Sequence, residues 1–334
     1  MTIYDISKKA GVSIATVSRV INGSDKVNEK TRQKVQAIID ECGFAPNVFA
    51  RGLGTDSMKA VGILCADSSD IYLAKAVYYI ERELKSNGYN TILACTGYEL
   101  EGRKDALNMI LESRVDCVIL VGSSFIDPEG KENQYIKDAA ARVPVMLLNA
   151  DFDCENVFCT LCDDFKSTMD ATEWLINNGK KRILYLYNSV SYSGIRKLSG
   201  FRSAILLHDL ELNKDLVRFF EGDHEGIDEV SDYLTDLYKS GLSFDAILCS
   251  DDVLATGAVK FARKNKISVP NTLSIIGYNN SILTKACVPE LTSVDNQLEN
   301  QCNQLVKSCI SILGGTESPQ KTIFSGQLIM RETT

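Results

Sequence analysis

Few side chains in this 334-residue chain fall at spacings that could do chemistry. Asp251-Asp252 closes an apolar, strand-like run. Adjacent carboxylates there could bind a metal, act as acid and base, or cap a helix while accepting from a ligand hydroxyl. No basic partner or metal-ligand spacing lies nearby, which favours cap plus ligand contact. Cys159-Thr160-Leu161-Cys162, with Cys154 close by, has the CxxC spacing of zinc and redox sites. No second pair or neighbouring His completes it, so it reads as strand residues beside a turn. His208 and His224 are the two histidines, and no HExxH, GxSxG or GxxxxGK[ST] occurs. The sequence therefore predicts no enzyme, no cofactor and no metal. A different chemistry stands out at Ile14, Ala15, Thr16, Ser18 and Arg19. Short polar groups and an Arg on the exposed start of a helix are what a DNA major groove accepts.

The elements that must hold those residues are legible around them. Thr2 can cap a first helix, with Asp5 at capping-box spacing. Gly11 supplies a turn, Ser13 can cap the second helix, and Asn22-Gly23 stops it. Ile6, Ala10, Val12, Val17, Val20 and Ile21 can share one small core, leaving the polar face outward. Asn28 to Cys42 is a third helix with Val35, Ile38 and Ile39 at helical spacing. So small a three-helix unit has little core and is marginal alone. After the break at Phe44-Ala45-Pro46-Asn47, Val48–Leu53 reads as a weak helical linker, because Gly52 and Gly54 cost helix stability.

From Ala60 onward, apolar runs such as Val61–Ala66, Val115–Gly122 and Val143–Asn149 alternate with amphipathic helices. The cycle restarts near Val157 and continues through Ala246–Cys249 and Leu273–Gly277. Continuous apolar strands between helices mean parallel sheets covered on both faces. The expected fold class is α/β: a small all-α head, a hinge helix, and a body of two doubly wound parallel-sheet subdomains facing a cleft. Net charge is −8, but residues 1–58 hold eight Lys and Arg against six Asp and Glu, so +2 falls on the head and −10 on the rest. A basic head on an acidic body suits DNA contact at one end. Eleven cysteines, mostly within apolar runs, read as small core residues in a reducing compartment. The start lacks a signal pattern and no run approaches the ~20 apolar residues of a membrane span, so a cytoplasmic protein is expected.

TIYDISKKAGVSIATVSRVING, then KTRQKV, then GFAPNVFARGL resembles the head of the LacI/GalR family of transcriptional regulators. The hinge Asn47–Leu53 and the SIATVSRVING wording are most similar to its catabolite control protein branch. GFRSA at 200–204, EGD at 221–223, SDDVLATGA at 250–258, SVPNTLSIIGYNN at 268–280, PELTSV at 289–294 and the final RETT extend the likeness over nearly the whole chain.

That resemblance implies a helix-turn-helix domain at 1–46, a hinge at 47–58, and a periplasmic-binding-protein-like body at 59–334. Its subdomains would be about 59–154 with 294–322, and about 155–293 with 323–334. It further implies that Ile14, Ala15 and Arg19 read bases, Arg19 pairing with a guanine. Ser13, Thr16, Ser18, Asn22, Asn28, Thr31 and Asn47 would contact phosphates, and Leu53 would wedge into the minor groove. Two heads need a homodimer on a pseudo-palindromic operator. In the cleft, Tyr72, Arg196, Lys197, His224, Asp252 and Asn279 would meet an effector. Lys197 stands where most sugar- or purine-responsive members carry Arg, and Asn279 where many carry Asp, which turns the expectation from a neutral sugar toward an anionic or phosphorylated one. The alternative input is a phosphorylated carrier protein. A transporter's solute-binding protein shares the body but would lack the head.

Overall fold

The structure is a computed structural model that describes residues 2–21, 24–42, 57–222 and 226–334. It divides into two compact units, residues 1–60 and 61–334. The first contains α1 (Ile3–Ala10), α2 (Ile14–Ile21) and α3 (Glu29–Glu41). Thr2 and Asp5 form the capping box, with Asp5 Oδ2 accepting from Thr2 N at 2.8 Å. Gly11, at φ 65°, ends α1 in the left-handed conformation that a side chain disfavours. Ser13 caps α2 by accepting from Thr16 N at 3.2 Å, and Asn28 caps α3 by accepting from Thr31 N at 2.9 Å. Ile6, Ala10, Val17, Val20, Val27, Val35 and Ile39 are the buried core, with Ile3, Val12, Ile21 and Ile38 packed around it.

The second unit is built on two six-stranded sheets. Its first half runs β1 (Ala60–Cys65), α4 (Ile71–Ser86), β2 (Asn90–Cys95), α5 (Leu100–Glu112), β3 (Cys117–Val121), α6 (Gln134–Ala140), β4 (Val145–Leu148) and β5 (Val157–Cys162). The second half runs α7 (Asp164–Asn177), β6 (Ile183–Tyr187), α8 (Tyr192–Leu207), β7 (Val217–Phe219), α9 (Ile227–Lys239), β8 (Ala246–Cys249), α10 (Asp252–Lys264), β9 (Ser274–Tyr278), α11 (Leu283–Ala286) and β10 (Thr292–Asp295). The chain then returns for α12 (Leu298–Leu313) and β11 (Lys321–Phe324), and ends on β12 (Gln327–Ile329). The sheet orders are β11-β5-β4-β3-β1-β2 and β12-β10-β9-β8-β6-β7. Each reverses direction beside its first strand, between β1 and β3 and between β6 and β8. Doubly wound sheets open a crevice at that point, at the carboxyl ends of the strands.

Two expectations change here. Val157–Cys162 pairs parallel with β4 from Val145↔Val157 to Leu148↔Thr160, so it belongs to the first sheet. The first crossing therefore falls at Asp163 rather than at 154. The sheets are also not wholly parallel, because β12 runs antiparallel to β10 (Ser293↔Ile329).

Three segments connect the halves, at Asp163, Asn296–Gln297 and Ser325–Gly326, and hydrogen bonds tie them together. Asp163 N donates to Phe324 O at 2.8 Å, Gln297 Nε2 to Ser325 O at 2.6 Å, and Gly326 N to Ser167 Oγ at 3.1 Å. Gln297 adopts φ 60°, a left-handed turn that starts the return into α12.

In the second half α7 and α8 touch backbone to backbone. A Cβ at Gly200 would lie 2.2 Å from the carbonyl oxygen of Phe165 and 3.1 Å from Met169 N. In an exposed helix Gly→Ala would stabilise by about 1 kcal/mol. Here the helices must separate, and overpacking of this kind costs about 1–3 kcal/mol. Gly200→Ala is expected to lower the urea midpoint of the body, and an unchanged or raised midpoint contradicts the close approach.

Candidate functional sites

In the head, α2 buries Val17 and Val20 and turns Ile14, Ala15 and Arg19 to solvent, Ile14 being 39% exposed. Thr16 and Ser18 are half-buried beside them. Ser13 and Asn28 already cap helices, and each remains exposed. Thr31 is half-buried and donates its backbone N–H to Asn28. One surface thus gathers short polar groups, an aliphatic contact and a guanidinium. Sequence reasoning left out Tyr4, which stands 68% exposed on α1. Its signal was a helix position whose apolar neighbours Ile3 and Ile6 face the core. Asn22, Asn47, Leu53 and His224 lie outside the described residues.

In the body, a cavity of about 520 Å³ opens at the carboxyl ends of both sheets. Its lining includes Tyr72, Lys197, Asp252 and Asn279, four of the residues expected there. Arg196 is not among them. Successive helical residues point about 100° apart, so Arg196 is exposed on the outside of α8. There it lies 3.8 Å from Asp163 and 5.1 Å over the ring of Phe165. Lys197 is 8% exposed. Its Nζ donates to Ser250 O at 2.9 Å and sits 3.7 Å over the ring of Tyr278. Beneath it, Asp164 accepts from Ser193 Oγ at 2.5 Å and from Tyr278 Oη at 2.6 Å. Burial pushes the Asp164 carboxyl upward, opposed first by Lys197 and then by those two hydroxyls.

Asp251 is the N-cap of α10, accepting from Leu254 N at 2.8 Å, and Asp252 is the first residue inside. Asp252 accepts from Ser281 N and Ser293 Oγ, each at 2.6 Å. Burial nevertheless raises its pKa to about 7, against the pull of those bonds. Asn279, at φ 93°, accepts from Asn296 Nδ2 at 3.1 Å. On the far wall, Ser123 Oγ of the first half donates to Ser191 Oγ, the N-cap of α8, at 2.9 Å. This bond spans the cleft directly.

Several lining residues escaped sequence reasoning. Asp70 caps α4, Asn149 follows β4, Arg103 projects from α5, and Phe219 ends β7 at 38% exposure. Asn149 and Ser123 stand just past strand ends, a placement the alternating pattern could have flagged. Phe219 packs its edge against Tyr187 at 5.2 Å and supplies an aromatic wall. The thiols of Cys159 and Cys162 diverge, to Phe152 and Ser167. Residues three apart on a strand face opposite sides.

A small three-helix unit with a polar recognition helix, in one chain with a two-sheet body that has a central cleft, defines a ligand-responsive DNA-binding regulator. Residues 2–47 match the lacI family of bacterial regulatory proteins, and residues 172–334 match the periplasmic binding protein-like domain. An HTH-type transcriptional regulator of Lachnoclostridium phytofermentans is 48% identical over 334 residues, covering all of this chain and 99% of that protein. AscG of Escherichia coli, an HTH-type transcriptional regulator, is 30% identical over 99% of this chain and 98% of its own. The lac repressor dimer bound to operator and the anti-inducer ONPF shares the fold, with a TM-score of 0.88 at 22% identity, over all of this chain and 98% of that one. The chain belongs to the lacI family: it is a DNA-binding transcriptional regulator with an effector-binding body, and not an enzyme. Among the described residues no helix is long and apolar enough to cross a membrane.

The raised pKa of Asp252 has a sign that can be measured. The folded chain holds this proton up to about pH 7, whereas an aspartate in water releases it near 3.8. The stability it contributes is therefore fully present below about pH 4 and is lost as pH rises to about 7. Each pKa unit is worth about 1.4 kcal/mol, so the change across the window is of order a few kcal/mol. Asp252→Asn is expected to gain relative to wild type in chemical denaturation as pH rises from 4.5 to 7.5. A stability difference that stays constant across this range contradicts the buried carboxyl.

Proposed function

We propose that this regulator binds a pseudo-palindromic operator as a homodimer, acts as a repressor in the cytoplasm, and loses or gains operator affinity with a small hydroxyl-rich ligand in the body cleft. The observation that carries the DNA reading is the exposed face of α2. Ile14 and Ala15 suit thymine methyl groups, and Arg19 suits the O6 and N7 of a guanine. Ser13, Thr16, Ser18, Asn28 and Thr31 surround that face and suit phosphate contacts that fix register. On sequence grounds Asn22 and Asn47 join them, with Leu53 as the minor-groove wedge. Ile282 and Val288, 72% and 81% exposed on either side of α11, offer apolar surface that a second copy would cover. Eight buried, unbridged cysteines suit a reducing compartment.

The cleft supports a small molecule as the input. Its 520 Å³ is the size of a small-ligand site, and Ser189, Ser191, Ser250, Asn188 and Asn279 line it with hydroxyls and amides. A phosphorylated sugar would need cations, yet Arg196 lies off the cleft, Lys197 is already held by Ser250, Tyr278 and Asp164, and Arg103 is drawn to Ser124 O.

Selection of bound DNA from a random pool tests the reading. A two-fold-related consensus is expected, and binding without sequence preference contradicts it. Arg19→Ala is expected to cost about 1–3 kcal/mol, roughly 5- to 150-fold in Kd, with relaxed preference at one base pair per half-site. A uniform loss on every sequence would assign Arg19 to phosphate instead.

A further inference from the structure

The charges of the cleft are unbalanced in a way that specifies its ligand. Asp70 of the first half and Asp251 of the second both line the cavity. Each commits Oδ1 to capping its helix, at 2.8 Å from Leu73 N and Leu254 N. An ionised carboxylate has about four acceptor positions, so both retain capacity toward the cavity. Burial raises the Asp251 carboxyl, Asp70 adding a smaller push, against Leu254 N, Lys197 and Asn188. Asn149, 6% exposed, lines the same cavity, and its Oδ1 has no hydrogen-bond partner. An orphaned acceptor that deep costs about 1–3 kcal/mol until a donor reaches it.

The cations answer these acceptors only in part: Lys197 draws the Asp251 carboxyl down, by less than burial raises it. Arg103 Nη1 donates to Ser124 O at 2.5 Å, and the Lys197 ammonium is held within the second half. Phe219 adds an aromatic wall, whose face attracts cations. A neutral sugar would leave two carboxylates opposed across the cleft, and a phosphorylated one would add to the repulsion.

We infer that the cleft takes a ligand with a protonated amine among its hydroxyls, an amino sugar or aminopolyol, its ammonium donating to Asp70, Asp251 and Asn149. An ammonium has three donors and no acceptor, the complement of a wall that offers carboxylates and an amide oxygen. The inference rests on the reading of the cleft as the ligand site and deepens it.

Calorimetric titration of the full chain at pH 7 tests it, with glucosamine against glucose, galactosamine against galactose, and N-acetylglucosamine and glucose 6-phosphate as further probes. In at least one pair the amino sugar is expected to bind tenfold or more tightly than its neutral partner. N-acetylation is expected to remove the advantage, and Asp70→Asn or Asp251→Asn to reduce it by tenfold. Asn is as good a cap as Asp, so both helices keep their starts, and circular dichroism checks that they do. Neutral sugars binding as well as amino sugars in both pairs overturns the inference and leaves the cleft reading standing. An amine preference that survives both substitutions also overturns it. No binding by any probe, sugar or amino sugar, overturns the inference and counts against the cleft reading as well.

Discussion

A buried ammonium sets the terms for the body of this protein. Lys197 lies almost wholly out of water, and a charge in that position must be answered by protein groups. The answer comes from three elements at once: the carbonyl after β8, the Tyr278 ring at the end of β9, and Asp164 at the start of α7. The arrangement pins these elements at their ends, where the second wall of the cleft is made. Removing the lysine would strand Asp164 in a low-dielectric site, a more costly fault than the loss of one surface charge. The same commitment keeps Lys197 from serving as a free anion receptor.

The two units solve different physical problems. The head has a core of seven buried side chains and relies on caps at every helix start to hold its recognition surface. Ile14, Ala15 and Arg19 are left to solvent because that packing does not need them. The body has ample core, with separate apolar clusters on both faces of its second sheet. It can therefore afford buried polar groups, and it places them together at the strand ends. Asp70, Ser191 and Asp251 show the economy of this design: each is a helix N-cap and a cavity wall at once.

Much of this was legible in the residues. Thr2 with Asp5, Ser13, Asn28 and Asp251 announced helix starts, because capping depends on local chemistry that tertiary context rarely overrides. The apolar runs announced strands for the same reason. Membership of a sheet was not local: VFCTLC at 157–162 reads as a buried strand in either half, and only its pairing with β4 decides. The short β10 and the helices α6 and α9 were missed where apolar content is diluted by polar residues. In the cleft, Tyr72, Lys197, Asp252 and Asn279 were found, whereas Arg196 was misplaced by one helical position. Phe219 and Asn149 carry no motif, and their roles come from two distant chain segments meeting.

The three laced crossings have a mechanical consequence. A single connecting strand would let the two halves of the body tilt, twist and slide independently. Three segments that share hydrogen bonds, with Asp163 bound to Phe324 and Gln297 to Ser325, restrict those freedoms. Ligand chemistry and mechanical output are thereby separable. The cleft lining and these crossings share no residue, so a substitution in one leaves the contacts of the other in place.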